Sequence, residues 1–271
     1  MATHLGSFLL LALAAAGPPE RGEPVLRVGI ATRNPPWAFV GDLDLSREDF
    51  GKDPHLTPEQ LHKLVGIDVD VMGALAPRLG VRVEWVPTLW ASLEEKLLAR
   101  RYDVLIGAWT PNAKTPDTIA ATAPYLDWGL VLVVRADDQT IRSPADLDGK
   151  RVGHIQDPAV ERSLRAIGRG RFVAMERELV LLDAFKEGTL DAMLLDSTFA
   201  RWRIAHDPSL RMVGAPLNRL GYHLGVRRED TALFERVEAA VKGLLESGEA
   251  ERIGRRWEGP DSPPPPQGSR K

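Results

Sequence analysis

Six histidines and no cysteine limit the chemistry that this 271-residue chain can carry. Without thiolates there is no disulfide framework, no cysteine-type zinc site and no lipid-modified cysteine. His4, His55, His62, His154, His206 and His223 form no pair at a metal-binding spacing except His55 and His62, and two histidines on a polar stretch are ordinarily just solvated. No glycine-rich phosphate loop, nucleophile elbow or short-period repeat is present, so neither a cofactor nor a metal is expected. His154, Asp157 and Glu161 are close enough in sequence to supply an acid for proton transfer, although His154 falls mid-strand, where a satisfied interior histidine is the commoner reading. The remaining chemistry-bearing set is Asp157 and Asp196, each following a strand pattern, and the tryptophans Trp37, Trp90, Trp109 and Trp128. Carboxylates and indole faces can together hold a cation, while tryptophans by themselves are more often packed against something.

The elements that must position these residues alternate. Residues 25–30 (VLRVGI) read as a strand stopped by Asn34-Pro35-Pro36, and residues 41–65 read as a polar surface insertion with a short helix starting at Thr57. Apolar spacing predicts a helix over 67–79, a strand over 81–86, a helix over 93–101, and strands over 102–107 and 129–135. The pattern then restarts: a strand over 150–155, a helix opening at Asp157-Pro158, a strand near Phe172, a helix over 180–188 and a strand over 190–195. A strand over 222–226 and helices over 233–247 and 249–257 follow. Two α/β units with mostly parallel sheets are implied, and ligands of such sheets gather at the carboxyl ends of strands, here in a cleft between the units.

Composition is that of a soluble globular protein, 44% hydrophobic and 27% charged, with a formal net charge of −3 and no basic block. That excludes an electrostatic footprint for nucleic acid or an anionic membrane and leaves a small-molecule partner. The apolar run 8–16 is about half a bilayer span and ends in Ala14 and Ala16 before Gly17, so residues 1–16 are expected to be a signal peptide directing the chain to the periplasm. The proline-rich end, 259–271, is expected to be a disordered tail.

Several stretches, in order, resemble the bacterial extracellular solute-binding proteins of family 3, the polar amino-acid binders of ABC transporters. LRVGIATRNPPWAF resembles the opening strand and its Pro-Pro-aromatic turn, GIDVDVMGALAPRLGVRVEWVP the helix and strand that follow, and RRYDVLIGAWT the strand ending in ligand-contacting backbone. APYLDWGLVLVVR and SPADLDGKRVG are similar to the first crossover and the entry to the second lobe, LDAMLLD to the strand whose last aspartate faces the ligand, and IGRRWEG to the closing helix. The resemblance implies an α/β, two-lobed periplasmic binding protein fold (type II, Venus-flytrap), each lobe a mixed, mostly parallel sheet flanked by helices. The first lobe would be 24–132, with the insertion 41–65, completed by 222–258, and the second 133–221, hinged on strands near 131–135 and 221–226. It also implies a solute handed by a monomer to an inner-membrane ABC permease.

By the same resemblance Asp196 holds the ligand's ammonium, Trp90 forms an aromatic wall, and Gly107, Ala108, Trp109 and Thr110 form the receiving strand end, with Asn34 and Trp37 in the Pro-Pro turn. Asp196 could instead cap a helix, and Trp90 could instead be core. Two departures matter. The carboxylate-clamping arginine is replaced by Thr115, and the second-lobe turn that would offer free N–H groups to an anion is Gln156-Asp157-Pro158, where Asp157 would satisfy those donors itself. Both point away from a standard α-amino carboxylate and toward a cationic or amine-bearing solute. A cyclohexadienyl dehydratase-like enzyme on the same fold and a free ligand-sensing accessory protein are the alternatives.

Overall fold

In β1 (Val25–Ile30), Leu26, Val28 and Ile30 alternate inward and are buried, while Gly29 on the other face lies under the Tyr102 ring. A Cβ at Gly29 would stand 2.2 Å from that ring, so the close approach requires glycine. The structure is a computed structural model describing residues 22–40, 53–156 and 158–264. The expected signal peptide, residues 41–52 of the insertion, Asp157 and residues 265–271 lie outside the described residues.

After β1 come β2 (Arg33–Asn34), β3 (Ala38–Val40), α1 (Pro58–His62), β4 (Leu64–Val65), α2 (Ile67–Leu79), β5 (Arg82–Pro87), α3 (Leu93–Leu98), β6 (Val104–Ile106) and β7 (Ile119–Ala121). Then follow β8 (Leu126–Trp128), β9 (Leu130–Arg135), β10 (Arg151–Ile155), α4 (Pro158–Ile167), β11 (Arg171–Met175), α5 (Glu178–Lys186), β12 (Ala192–Asp196), α6 (Ser197–His206) and β13 (Leu210–Val213). β14 (Leu220–Tyr222), β15 (Gly225–Arg227), α7 (Thr231–Glu246) and α8 (Glu249–Trp257) end the series.

One sheet has the order β5-β1-β6-β15-β7 and a second the order β11-β10-β12-β9-β13. In each, only the fourth strand is reversed, running antiparallel to both neighbours. Those strands, β15 and β9, each follow directly on a strand of the two-stranded ribbon β14-β8, so each enters its sheet from the side where the chain crosses between lobes. The crossing therefore differs from the expected one. Residues 131–135 pair within the second sheet, and the ribbon is made by Leu126–Trp128 against Leu220–Tyr222. The strand expected over 222–226 is broken at His223 and Leu224, whose N–H groups donate to the Trp109 carbonyl (2.8 Å) and to Thr122 Oγ1 (3.1 Å). The helix expected to reach residue 101 stops at Leu98, because Arg100 adopts a positive φ of 56°.

Local signals explain the helix that carries the first lobe. Ile67, Val71, Met72, Leu75 and Leu79 of α2 are buried at helical spacing, and Gly80 closes the helix in the left-handed region at φ 61°. Its first N–H groups are taken by the Pro-Pro turn: Ile67 N donates to the Pro36 carbonyl (3.0 Å) and Asp68 N to that of Trp37 (2.9 Å). At Gly66, φ is 144° and a Cβ would fall 2.0 Å from the Trp37 carbonyl oxygen, so this docking needs glycine. In the insertion, Thr57 and Gln60 form a reciprocal capping box on α1 with Pro58 in the first turn.

Residues 257–263 fasten the lobes together. α8 packs on α2, α7 and β8 of the first-lobe side, and Trp257 Nε1 donates to Asp70 (2.6 Å). Beyond it, Glu258 pairs with Arg201 of α6 (2.8 Å), Trp202 Nε1 donates to the Pro263 carbonyl (2.9 Å), and His206 Nε2 lies 2.9 Å from the Ser262 carbonyl. Ser262 is only 4% exposed. Within the expected free tail, Ser262 and Pro263 are thus held by the second lobe, the Pro263 carbonyl by the Trp202 donor and the Ser262 carbonyl at His206.

Candidate functional site

The carboxyl ends of both sheets meet at a cleft of about 790 Å³. Its walls include Arg33, Asn34, Trp37, Trp90, Ala108 and Thr110 from the first lobe, Trp128 and Tyr222 from the ribbon, and Gln156, Glu176, Arg177, Glu178, Asp196, Phe199 and Arg203 from the second. An aromatic box lies within it. The Trp128 ring stacks on Tyr222 at 5.5 Å, Trp37 meets Tyr222 edge-on at 5.9 Å, and Trp37 stacks on Phe199 at 6.2 Å. A second seam, Phe39 against Trp202 at 6.1 Å, continues this contact between the lobes.

Asp196 is placed by the end of β12 and serves two purposes. Its Oδ1 accepts from the N–H groups of Thr198 (2.7 Å) and Phe199 (3.2 Å), capping α6, and its Oδ2 accepts from the Tyr222 hydroxyl. Burial pushes its carboxyl up to about 7, against the pull of those three donors. The two readings of this residue are therefore compatible: it caps α6 and lines the cleft. A carboxyl at that balance point ionises fully when a cation arrives to pair with it.

The same chemistry recurs one lobe away in a sealed setting. Asp68 in the first turn of α2 is fully buried, accepts from the Tyr125 hydroxyl (2.5 Å) and the Ala108 N–H (3.0 Å), and is likewise pushed up to about 7 by burial. It holds Ala108 in a left-handed conformation (φ 51°) at the cleft wall. The Tyr125 and Tyr222 rings are 6.1 Å apart, so the two aspartate–tyrosine pairs adjoin across the ribbon.

The other predicted residues divide. Asn34, Trp37, Trp90, Ala108, Thr110, Gln156 and Asp196 line the cleft. Trp90 is 46% exposed at its mouth and is no core residue; Trp37 is buried and packs as well as lines. The Thr110 hydroxyl donates to the Gly221 carbonyl (2.9 Å) and accepts from Trp128 Nε1 (3.0 Å), so its one proton is already committed. Gly107, Trp109 and Thr115 do not reach the cleft wall. Gly107 is packed against Leu93, while Trp109 Nε1 (2.9 Å) and the Thr115 hydroxyl (2.8 Å) both donate to Glu94, which draws them away from the opening. Asp157 lies outside the described residues. His154 is buried beside Phe172 with Nδ1 at 3.0 Å from the Ile155 carbonyl, and it does not line the cleft.

Sequence reasoning passed over Tyr222, Phe199, Arg203 and Asp68. Phe199 and Arg203 carried a signal: with Asp196 they recur at i, i+3 and i+7, one helix face. Tyr222 and Asp68 carried none, since their pairing partners are 26 and 57 residues away.

Known proteins agree with this architecture. The L-cystine-binding protein TcyJ of Escherichia coli K12 is 26% identical over 245 residues, covering 89% of this chain and 85% of its own. The holo ArgBP structure from T. maritima is 28% identical with a TM-score of 0.63, covering 85% of this chain and 95% of that one. A structure of an ancestral arginine-binding protein bound to arginine is 25% identical with a TM-score of 0.65, covering 86% and 97%. The family model described as bacterial extracellular solute-binding proteins, family 3, matches residues 51–260. With that match and this two-lobed fold, the chain belongs to the family 3 extracellular solute-binding proteins of ABC transporters.

Proposed function

We propose that the cleft captures a small amine-bearing solute of the amino-acid type in the periplasm, and that the monomeric protein presents it to an inner-membrane ABC permease. The observation that carries this reading is Asp196, a carboxyl at the balance between neutral and ionised, set against the Trp37–Tyr222–Trp128 aromatic box. The cleft also carries three arginines, Arg33, Arg177 and Arg203, beside Glu176, Glu178 and Asp196. A wall with equal numbers of both signs suits a zwitterion, the amine-bearing side of the cationic or amine-bearing class that the sequence suggested, although it restores the carboxylate that the sequence argued against. The relatives named for L-cystine and arginine support the same class.

Binding without turnover is part of the proposal: of the candidate acids His154, Asp157 and Glu161, His154 is buried and is not part of the cleft wall. Isothermal titration against the common amino acids, cystine and simple amines tests the reading. At least one amine-bearing amino acid is expected to bind tightly. Tight binding confined to compounds lacking an ammonium group would overturn it, and aromatic product from prephenate or arogenate would return the enzyme alternative.

A further inference from the structure

Among the charged residues of the cleft wall, Arg203 stands apart in its surroundings. Its side chain is only 12% exposed, its Nε is enclosed without an acceptor, and among the described residues its guanidinium makes no hydrogen bond. The carboxylate paired with it, Asp207 one helical turn on, is 4.0 Å away, beyond hydrogen-bond reach, and that group already accepts from Ser209. Arg33, Arg177 and Glu178 on the same wall do have further interactions. A guanidinium has five donors in a rigid fork, and leaving them desolvated is unfavourable unless an acceptor arrives.

Its position relative to Asp196 is set by the helix. Seven residues separate them, close to two full turns, so both fall on one face of α6 with Phe199 between, its ring stacked against that of Trp37. The axial separation is about 10 Å, and the guanidinium lies on toward Asp207, so pairing with a ligand held on Asp196 requires it to turn back toward the helix start, a direction open to an arginine on a helix.

We propose that Arg203 is the anion anchor of this cleft, so that the ligand lies along the α6 stripe with its ammonium on Asp196 and its carboxylate on the Arg203 guanidinium. The proposal rests on the reading of the cleft as an amino-acid site and adds the residue that selects for the carboxylate. Thr115, bound to Glu94 away from the cleft, takes no part in it.

Three matched pairs of probes test this: L-arginine and agmatine, L-cystine and cystamine, L-histidine and histamine, each pair differing by a carboxylate. Titration calorimetry on the unmodified protein is expected to show the amino acid of at least one pair binding about 10- to 100-fold tighter than its amine, the range for a charge-assisted hydrogen bond. Arg203→Gln is expected to lose that preference by weakening the amino acid while leaving the amine unchanged, with R203K intermediate and unliganded melting temperatures confirming that both variants fold. R203Q binding the amino acid as tightly as the unmodified protein would overturn the anchor while leaving the amino-acid reading intact. Equal affinity for amino acid and amine in the unmodified protein would do the same without any variant. Failure of the unmodified protein to bind any of the six or any other common amino acid would instead break the amino-acid reading and the anchor with it.

Discussion

Asp68 and Asp196 have nearly identical local chemistry and opposite access. Each sits at the start of a helix, each accepts one tyrosine hydroxyl from the crossing segment and at least one backbone N–H, and burial pushes each up to about 7. Asp68 is completely enclosed, with its acceptors spent on Tyr125 and Ala108. Asp196 opens onto the cleft. The difference teaches that an aspartate–tyrosine pair is a structural fastener in itself, and that only a free face turns it into a receptor for a cation.

The sharpest way to break the comparison is to neutralise each member. Asp196→Asn keeps the cap on α6, because a carboxamide oxygen accepts the same N–H bonds. Titration calorimetry with an amine-bearing ligand should then show about 10- to 100-fold weaker binding, while the melting temperature stays close to that of the parent. Asp68→Ala should do the reverse. Leaving the Tyr125 hydroxyl and the Ala108 N–H without an acceptor should cost about 1–3 kcal/mol in denaturant unfolding, with little change in affinity among the molecules that remain folded.

A smaller effect distinguishes the pairs by pH. Both carboxyls are raised, so between about pH 4 and about 7 the folded chain holds protons that the unfolded chain has released. Their contribution to stability is fully present at the acidic end and is lost as the pH climbs through 7. Asp68→Asn and Asp196→Asn should each flatten part of that decline in melting curves recorded from pH 4.5 to 8. Only Asp196 should also affect the ligand. An ammonium pairing with it favours the ionised form, so binding expels a proton and affinity rises with pH to a plateau above about 7. A pH-independent affinity in the parent protein would show that Asp196 does not meet the ligand's charge.

Most of the secondary structure was legible in the sequence because it depends on local periodicity. The helix over 67–79 and the strand over 25–30 match residue for residue, since alternating or helically spaced apolar residues meet breakers at both ends. The first ribbon strand was misplaced by about five residues, while 221–226 overlaps the second, because LVLVVR is apolar throughout and a strand buried on both faces gives no sign of which neighbours it pairs with. The part of the site that lies on consecutive loops, Asn34, Trp37, Trp90, Ala108, Thr110, Gln156 and Asp196, could be anticipated from strand ends. Gly107, Trp109 and Thr115 could not be separated from that set by sequence, because what removes them is Glu94, a side chain from an earlier helix that captures two of the three. Tyr222 was illegible for the same reason in reverse: its value comes from a hydroxyl reaching a carboxylate 26 positions away.

The segment bound after α8 has a mechanical implication. Two adjacent strands joining two rigid bodies act like a door with both screws on one line, free to swing and also to wring about that line. Trp202 and His206 hold residues 262 and 263 about 9–15 Å along α6 from its ribbon end, off that line. A fastening there gives the two bodies a third point of attachment, which is expected to stiffen them against wrenching about that line.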